Sequence, residues 1–287
     1  MNQDILTMLQ ENMKTFSKGQ KRIANFILES YDKAAFMTAS KLGTTVNVSE
    51  STVVRFAAEL GYDGYPSMQK SLQKMIRNRL TSVQRIEMAN DRMGDQDVVS
   101  SVLQSDVEKI RTTLEEIDRT SFERAVDAIL AAKKIYIIGF RSSSAISRFL
   151  AFYFNLICEN VCEISASTAS EVFEQIMRAG EGDVVIGVSF PRYSTRTVKA
   201  MRYARDRGAS VIAITDSDSS PVAAAADVTL TARSDMASFV DSLVAPLSLV
   251  NALIVAVSQK RSSEVANTFQ HLEQIWEEYE VYEKTEV

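Results

Sequence analysis

The chain has 287 residues, 46% of them hydrophobic, with four prolines, ten glycines, two cysteines, one histidine and a formal net charge of −5. This is the composition of a globular protein with room for two domains, and it excludes disorder, a disulfide framework and any zinc site or catalytic triad that needs several histidines. No apolar run approaches the roughly 20 residues of a membrane span, and the N-terminus lacks a signal pattern, so the expectation is a cytoplasmic protein with no membrane partner.

Charge is unevenly placed. Residues 1–80 carry 11 Lys/Arg against 7 Asp/Glu, while the remainder carries 21 against 30. A basic head on an acidic body predicts that one end meets phosphate and the other does something else.

In chain order, apolar periodicity predicts helices over 3–13 and 18–31, the second capped by Ser17. Two short helices follow at 38–43 and 49–60, meeting at Thr45-Val46-Asn47-Val48, and the second opens on the capping residue Ser49. Ala39, Leu42, Val48, Val53, Ala57 and Leu60 fall on the inner sides of this pair, and Glu50, Ser51, Thr52 and Arg55 on the outer side of its second helix. That pattern is a helix-turn-helix, with Asn47 at the tight turn and Gly61 as a left-handed terminator. Any bundle of short helices can imitate the pattern; the basic balance favours DNA. Arg55 and Thr52 are placed for base edges, and Ser49, Ser51 and Lys41 for phosphates. A further helix is expected from Ser67 to Leu80, so that residues 1–80 form an all-α DNA-binding bundle.

Residues 81–121 read as a helical linker. A looser stretch around Met93-Gly94-Asp95 precedes one amphipathic helix carrying Val98, Val99, Val102, Leu103, Val107, Ile110 and Leu114 and ending near Asp118. Its apolar face needs a partner, which is either its own C-terminal domain or a dimer seam.

From Phe122 the pattern changes. Apolar runs at 134–139, 161–164, 183–188, 209–214 and 227–230 alternate with helices at 143–158, 169–179, 194–207 and 238–259. Such alternation predicts an α/β domain over 122–262, a five-stranded parallel sheet in an αβα sandwich. A C-terminal helix over 263–287 carries Val265, Phe269, Leu272, Ile275, Trp276 and Tyr279, a stripe that docks on the body or on a partner.

In an open parallel sheet, ligands bind beyond the carboxyl ends of the strands. Two hydroxyl-rich loops occur there: Gly139 to Ser144, with Ser142, Ser143 and Ser144, and Ser189 to Thr197, with Arg192, Ser194 and Thr195. Hydroxyls and free amides at a helix start, with arginine nearby, suit a phosphate monoester, although serine also caps helices with no ligand at all. No catalytic set accompanies them. His271 lies on the last helix, and Glu163, Glu171 and Glu174 read as solvated charges before general bases. Neither loop has the lysine of a nucleotide-hydrolase phosphate loop.

The segments VSESTVVRFAAELGYDGYPSMQ at 48–69, IYIIGFRSSSA at 135–145 and DVVIGVSFPRYSTRTVKAMRYARDRGASVIAITDS at 183–217 resemble the RpiR (MurR/RpiR) family of bacterial transcriptional regulators. The resemblance implies a helix-turn-helix head, a sugar isomerase (SIS) body that senses a phosphorylated sugar without converting it, and control of a carbohydrate-metabolism operon. It carries over Ser143, Ser189, Ser194 and Thr197 as phosphosugar ligands, and no cofactor or metal. The alternative is a sugar-phosphate isomerase with an added head. Two departures stand out: the second glycine of the first-loop motif is Arg141, and the middle serine and glycine of the second are Pro191 and Arg192. The implied partners are a palindromic operator, a phosphosugar effector, and further copies of the chain in a dimer or tetramer.

Overall fold

The computed structural model describes residues 5–77, 83–86, 97–235 and 240–283. The chain divides into two compact units, 1–92 and 93–287. Leu80, Met93-Gly94-Asp95 and the first residues of the helix expected at 238 lie outside the described residues.

The first unit is helical: α1 (Ile5–Asn12), α2 (Lys18–Glu29), α3 (Tyr31–Ala34), α4 (Ala39–Thr45), α5 (Glu50–Glu59) and α6 (Tyr65–Arg77). Ser17 closes a full capping box, since its Oγ accepts from the Gln20 amide and the Gln20 side chain accepts from the Ser17 amide at 2.7 Å. The expected helix 18–31 breaks at Ser30, whose ψ of 47° leaves the helical region, and the single turn α3 follows. Ile5, Leu9, Ile23, Ile27, Leu42, Val53, Phe56, Leu60 and Leu72 are buried in the core of this bundle, and Phe16 meets Phe56 edge-on at 5.2 Å.

Helix α6 is anchored across the bend between α3 and α4. Tyr65 Oη donates to the Met37 carbonyl at 2.7 Å, Gln69 donates to the same oxygen at 2.8 Å, and Gln73 donates to Ala35 at 2.9 Å. Burial pushes the Tyr65 phenol up to about 12 from 10.0. Between those values the unfolded chain loses this proton and the folded one keeps it. Stability from Tyr65 is therefore complete below pH 10 and is lost as pH rises through 12. Tyr65→Phe is expected to lower stability at pH 7 by about 1 kcal/mol and to flatten this alkaline slope, as measured by denaturant titrations at several pH values.

The second unit begins with α7 (Val98–Glu116) and α8 (Arg119–Ala131). A sheet follows, with β1 (Ile135–Gly139), β2 (Val161–Ile164), β3 (Val184–Val188), β4 (Ser210–Thr215) and β5 (Val228–Thr231). Between the strands run α9 (Ser143–Ile157), α10 (Ala169–Ile176) and α11 (Thr195–Asp206), and after them α12 (Val244–Lys260) and α13 (Ser262–Glu278). All four strand pairings are parallel, in the order β2-β1-β3-β4-β5. The expected α/β sandwich is thus present. Alternate strand residues feed two cores: Ile135, Ile137, Ile186 and Ile212 face α8, α9 and α12, while Tyr136, Ile138, Val185 and Val211 face α10 and α11.

Helix α8 was not expected, because Asp118 reads as a terminator. It is also a cap: its carboxylate accepts from the amides of Thr120 and Ser121, and Phe122, Ala125, Val126 and Ile129 carry the helix onto the core. The chemistry of α7 runs opposite to its periodicity. Lys109 and Thr113 are buried, Thr113 Oγ1 accepts from the Arg233 amide at 3.0 Å, and Asp106 accepts from Ser242 Oγ at 2.7 Å. Val99, Leu103, Val107 and Leu114, each more than half exposed, face outward. Helix α13 docks on the body through Val265 and Phe269 and has no fully buried residue. Cys158 and Cys162 are free thiols on the α9 C-cap and β2, and among the described residues no cluster of potential metal ligands occurs.

Candidate functional site

In the helix-turn-helix, Thr38 and Ser49 cap α4 and α5 by accepting from the Lys41 and Thr52 amides. Asn47 turns the chain at φ 60° and Gly61 ends α5 at φ 86°, the left-handed geometry expected at both. Lys41, Ser49, Glu50, Ser51 and Arg55 are exposed. Thr52 differs from expectation: it is half-buried, and its hydroxyl lies 2.8 Å from Ser49 Oγ, which in turn lies 2.9 Å from Ser51 Oγ. The three hydroxyls satisfy one another at the start of α5, so Thr52 is turned toward the bundle and Arg55 is left as the long outward donor among the α5 candidates. Arg55 Nε rests on the Ser51 carbonyl at 3.3 Å, which holds the guanidinium along the exposed face.

In the second unit, the strand order reverses direction between β1 and β3, and both serine loops leave the sheet at that switch point. Gly139 is paired with Val188, so the loops start side by side. A Cβ at Gly139 would lie 2.7 Å from Ser147 Oγ and 2.8 Å from the Ser143 carbonyl, so only glycine lets α9 approach β1 this closely.

In the first loop Ser142 is exposed and its side chain caps nothing, Ser143 is only 5% exposed, and Ser144 Oγ donates to the Arg141 carbonyl at 2.6 Å. The second loop is closer to a ready anion cradle. Ser194 caps α11 by accepting from the Thr197 amide, and Ser189 Oγ accepts from the Ser194 amide at 3.0 Å. Thr197 is fully buried in the first turn of α11, and its Oγ1 has no hydrogen-bond partner among the described residues. A buried hydroxyl without a partner costs about 1–3 kcal/mol. Thr195 and Arg192 are exposed at the rim of this loop, and Tyr193 Oη donates to Asp216 at the end of β4 at 2.8 Å.

At both departures the arginine stands in left-handed backbone, Arg141 at φ 58° and Arg192 at φ 65°, the region glycine adopts most readily.

Two contributors were missed by sequence reasoning. The loop after β2 joins the site: a pocket of about 190 Å³ is lined by Gly139, Phe140, Arg141, Ser144, Arg148 and Glu163 together with residues 164–166. Parallel topology was the available signal, since it brings every strand's carboxyl end to one edge. Arg196 is the other; it donates to the Ser167 carbonyl at 3.0 Å and sits over the Phe140 ring at 5.9 Å, joining three loops. No sequence signal marks it.

Each of the carboxylates weighed as bases has a partner. The amides of Ser167 and Thr168 hold the Glu171 carboxyl below its usual range, with Arg196 adding to the effect. Glu174 accepts from Ser170 Oγ, Glu163 pairs with Arg148 at 3.3 Å, and His271 is exposed on α13.

The fold and these loops define a helix-turn-helix protein with a doubly wound sugar-isomerase-type body. The helix-turn-helix domain of the rpiR family matches residues 3–79, and the SIS domain matches residues 128–256. The chain belongs to the rpiR family of helix-turn-helix transcriptional regulators. It is 26% identical over 286 residues to the HTH-type transcriptional regulator HexR of Escherichia coli K12, covering 96% of this chain and 95% of the relative. The Vibrio vulnificus NanR protein, solved in complex with ManNAc-6P, superposes with a TM-score of 0.59 at 25% identity over 95% of this chain and 97% of that one. The sugar isomerase domain of an RpiR transcription factor from Sphaerobacter thermophilus gives a TM-score of 0.59 at 27% identity, over 62% of this chain and 99% of that one.

Proposed function

We propose that this regulator controls a carbohydrate-metabolism operon and that a phosphorylated sugar bound in the second unit sets its affinity for DNA. The observation that carries the reading is the buried, unpartnered Thr197 hydroxyl at the start of α11, between the capping Ser194 and a loop rich in donors. A phosphate there would meet the free amides of the helix start, Thr197 Oγ1, and the hydroxyls of Ser189, Ser194 and Thr195, with Arg192 at the rim. Ser142 and Ser143 line the opposite loop. That NanR was solved with a phosphosugar supports the same ligand class.

The site senses and does not convert. An aldose-ketose isomerase needs a base poised to take a proton, and Glu163, Glu171 and Glu174 are each tied to a partner in this unit. The chain works as a homo-oligomer, at least a dimer. The outward stripe Val99, Leu103, Val107, Ile110 and Leu114 on α7 follows the spacing of a helix-helix seam, and a second copy offers the matching stripe. Two heads then read a palindromic operator at half-sites about 34–36 Å apart. Ligand acts by favouring the conformer that binds DNA badly.

Arg55 is the residue most exposed to test at the head. Arg55→Ala is expected to leave the melting temperature unchanged and to weaken operator binding by about 1–3 kcal/mol, read by fluorescence anisotropy on operator DNA. Unchanged affinity would displace α5 as the recognition helix.

A further inference from the structure

Resting on the phosphosugar reading above, we infer that the pocket at the mouths of β1 and β2 is a carboxylate subsite, so that the effector is a sugar-acid phosphate. The pocket is lined by two arginines, Arg141 and Arg148, and one acidic residue, Glu163. Glu163 accepts from Arg148 Nε at 3.3 Å. Among the described residues the Arg141 guanidinium and the terminal amino groups of Arg148 have no carboxylate partner, so the pocket keeps one positive charge for a ligand anion. A neutral sugar end gives that charge nothing to pair with. A carboxylate takes it in a bidentate, charge-assisted contact, the geometry guanidinium favours.

The placement fits a ligand with acids at both ends. The α11 start follows β3, the pocket opens between β1 and β2, and β1 lies between β2 and β3 in the sheet. Two strand spacings, about 10 Å, separate the outer strands, which is the reach of an open sugar chain with an anion at each terminus. Between the two ends Ser165 lines the pocket, and Arg196, resting on Ser167 and Phe140, holds the two halves of the site together. Arg141 stands in a left-handed turn where the resembled motif has glycine, so the side chain is the difference between this pocket and that motif.

The test uses the full chain and matched pairs of probes: glucose 6-phosphate against 6-phosphogluconate, and ribose 5-phosphate against 5-phosphoribonate, by isothermal titration calorimetry. In at least one pair the acid is expected to bind about tenfold or more tighter than the aldose phosphate, from one added charge-assisted contact. Arg141→Gly restores the glycine at a left-handed position and so keeps the turn. It is expected to bring the ratio to within about threefold and leave the aldose phosphate affinity unchanged, and Arg148→Gln to do the same. Aldose phosphates that bind with acids no tighter, or a ratio that survives Arg141→Gly, would overturn the subsite and leave the phosphosugar reading standing. Binding by none of the four probes would overturn both.

Discussion

Thr197→Val is expected to weaken phosphosugar binding while leaving the protein as stable as before or more so. Valine has the shape of threonine without its hydroxyl, and that hydroxyl is buried with no partner among the described residues. Removing it relieves a desolvated polar group, so denaturant unfolding of the ligand-free protein should show a gain of up to about 1 kcal/mol. The bound phosphate loses a hydrogen bond to a charged group, about 1.5–3 kcal/mol, so affinity should fall about 10- to 100-fold in calorimetry. An ordinary core hydroxyl would give neither result, because its removal would cost stability and leave the ligand untouched.

Gly43→Ala should break the other end of the molecule. Gly43 lies on α4 against the start of α5, and a Cβ there would stand 2.8 Å from the Val48 carbonyl and 3.3 Å from the Glu50 amide. Both are backbone atoms of the turn between the two helices, so the helices must move apart. Overpacking of this kind costs about 1–3 kcal/mol, a large share of what so small a bundle has. Circular dichroism should show an earlier melting step from the first unit, and operator affinity should fall with it. Phosphosugar affinity of the second unit should be unchanged, which separates a damaged head from a misfolded chain.

The parallel sheet was legible because its strands are buried on both faces and read as unbroken apolar runs; Ile135 to Gly139 and Val184 to Val188 are buried throughout. The helical head was legible for a different reason, since its caps at Ser17 and Ser49 and its left-handed residues at Asn47 and Gly61 are local chemistry that needs no tertiary context. Helix α8 was hidden by Asp118, where one residue ends a helix and starts the next. The face of α7 was hidden more deeply. Periodicity shows that an apolar stripe exists, but not what covers it, and here polar Asp106, Lys109 and Thr113 meet the body while the valines and leucines look out.

The candidate site was legible as two loops and not as contacts. Composition marks Ser142 to Ser144 as hydroxyl-rich, yet Ser144 spends its hydroxyl on the Arg141 carbonyl and Ser143 is packed under α9. Thr52 follows the same rule at the head, its hydroxyl absorbed by Ser49. Helical spacing assigns a side chain to a face but not its hydrogen-bond partner, and a short hydroxyl finds the nearest one. The contacts of Arg196 were invisible because they join elements far apart in sequence, and the loop after β2 was marked only by the parallel topology.

The proposed function requires a link between the α11 loop and the DNA-binding head. Fluorescence anisotropy of labelled operator DNA with the full chain, titrated with the phosphosugar that calorimetry identifies, tests that link directly. Saturating ligand is predicted to weaken DNA binding by about 5- to 150-fold, and Thr197→Val, which still binds the DNA, to need about 10- to 100-fold more ligand for the same response. Operator affinity that stays the same at saturating phosphosugar, or steady conversion of that sugar to its isomer by the protein, would contradict it.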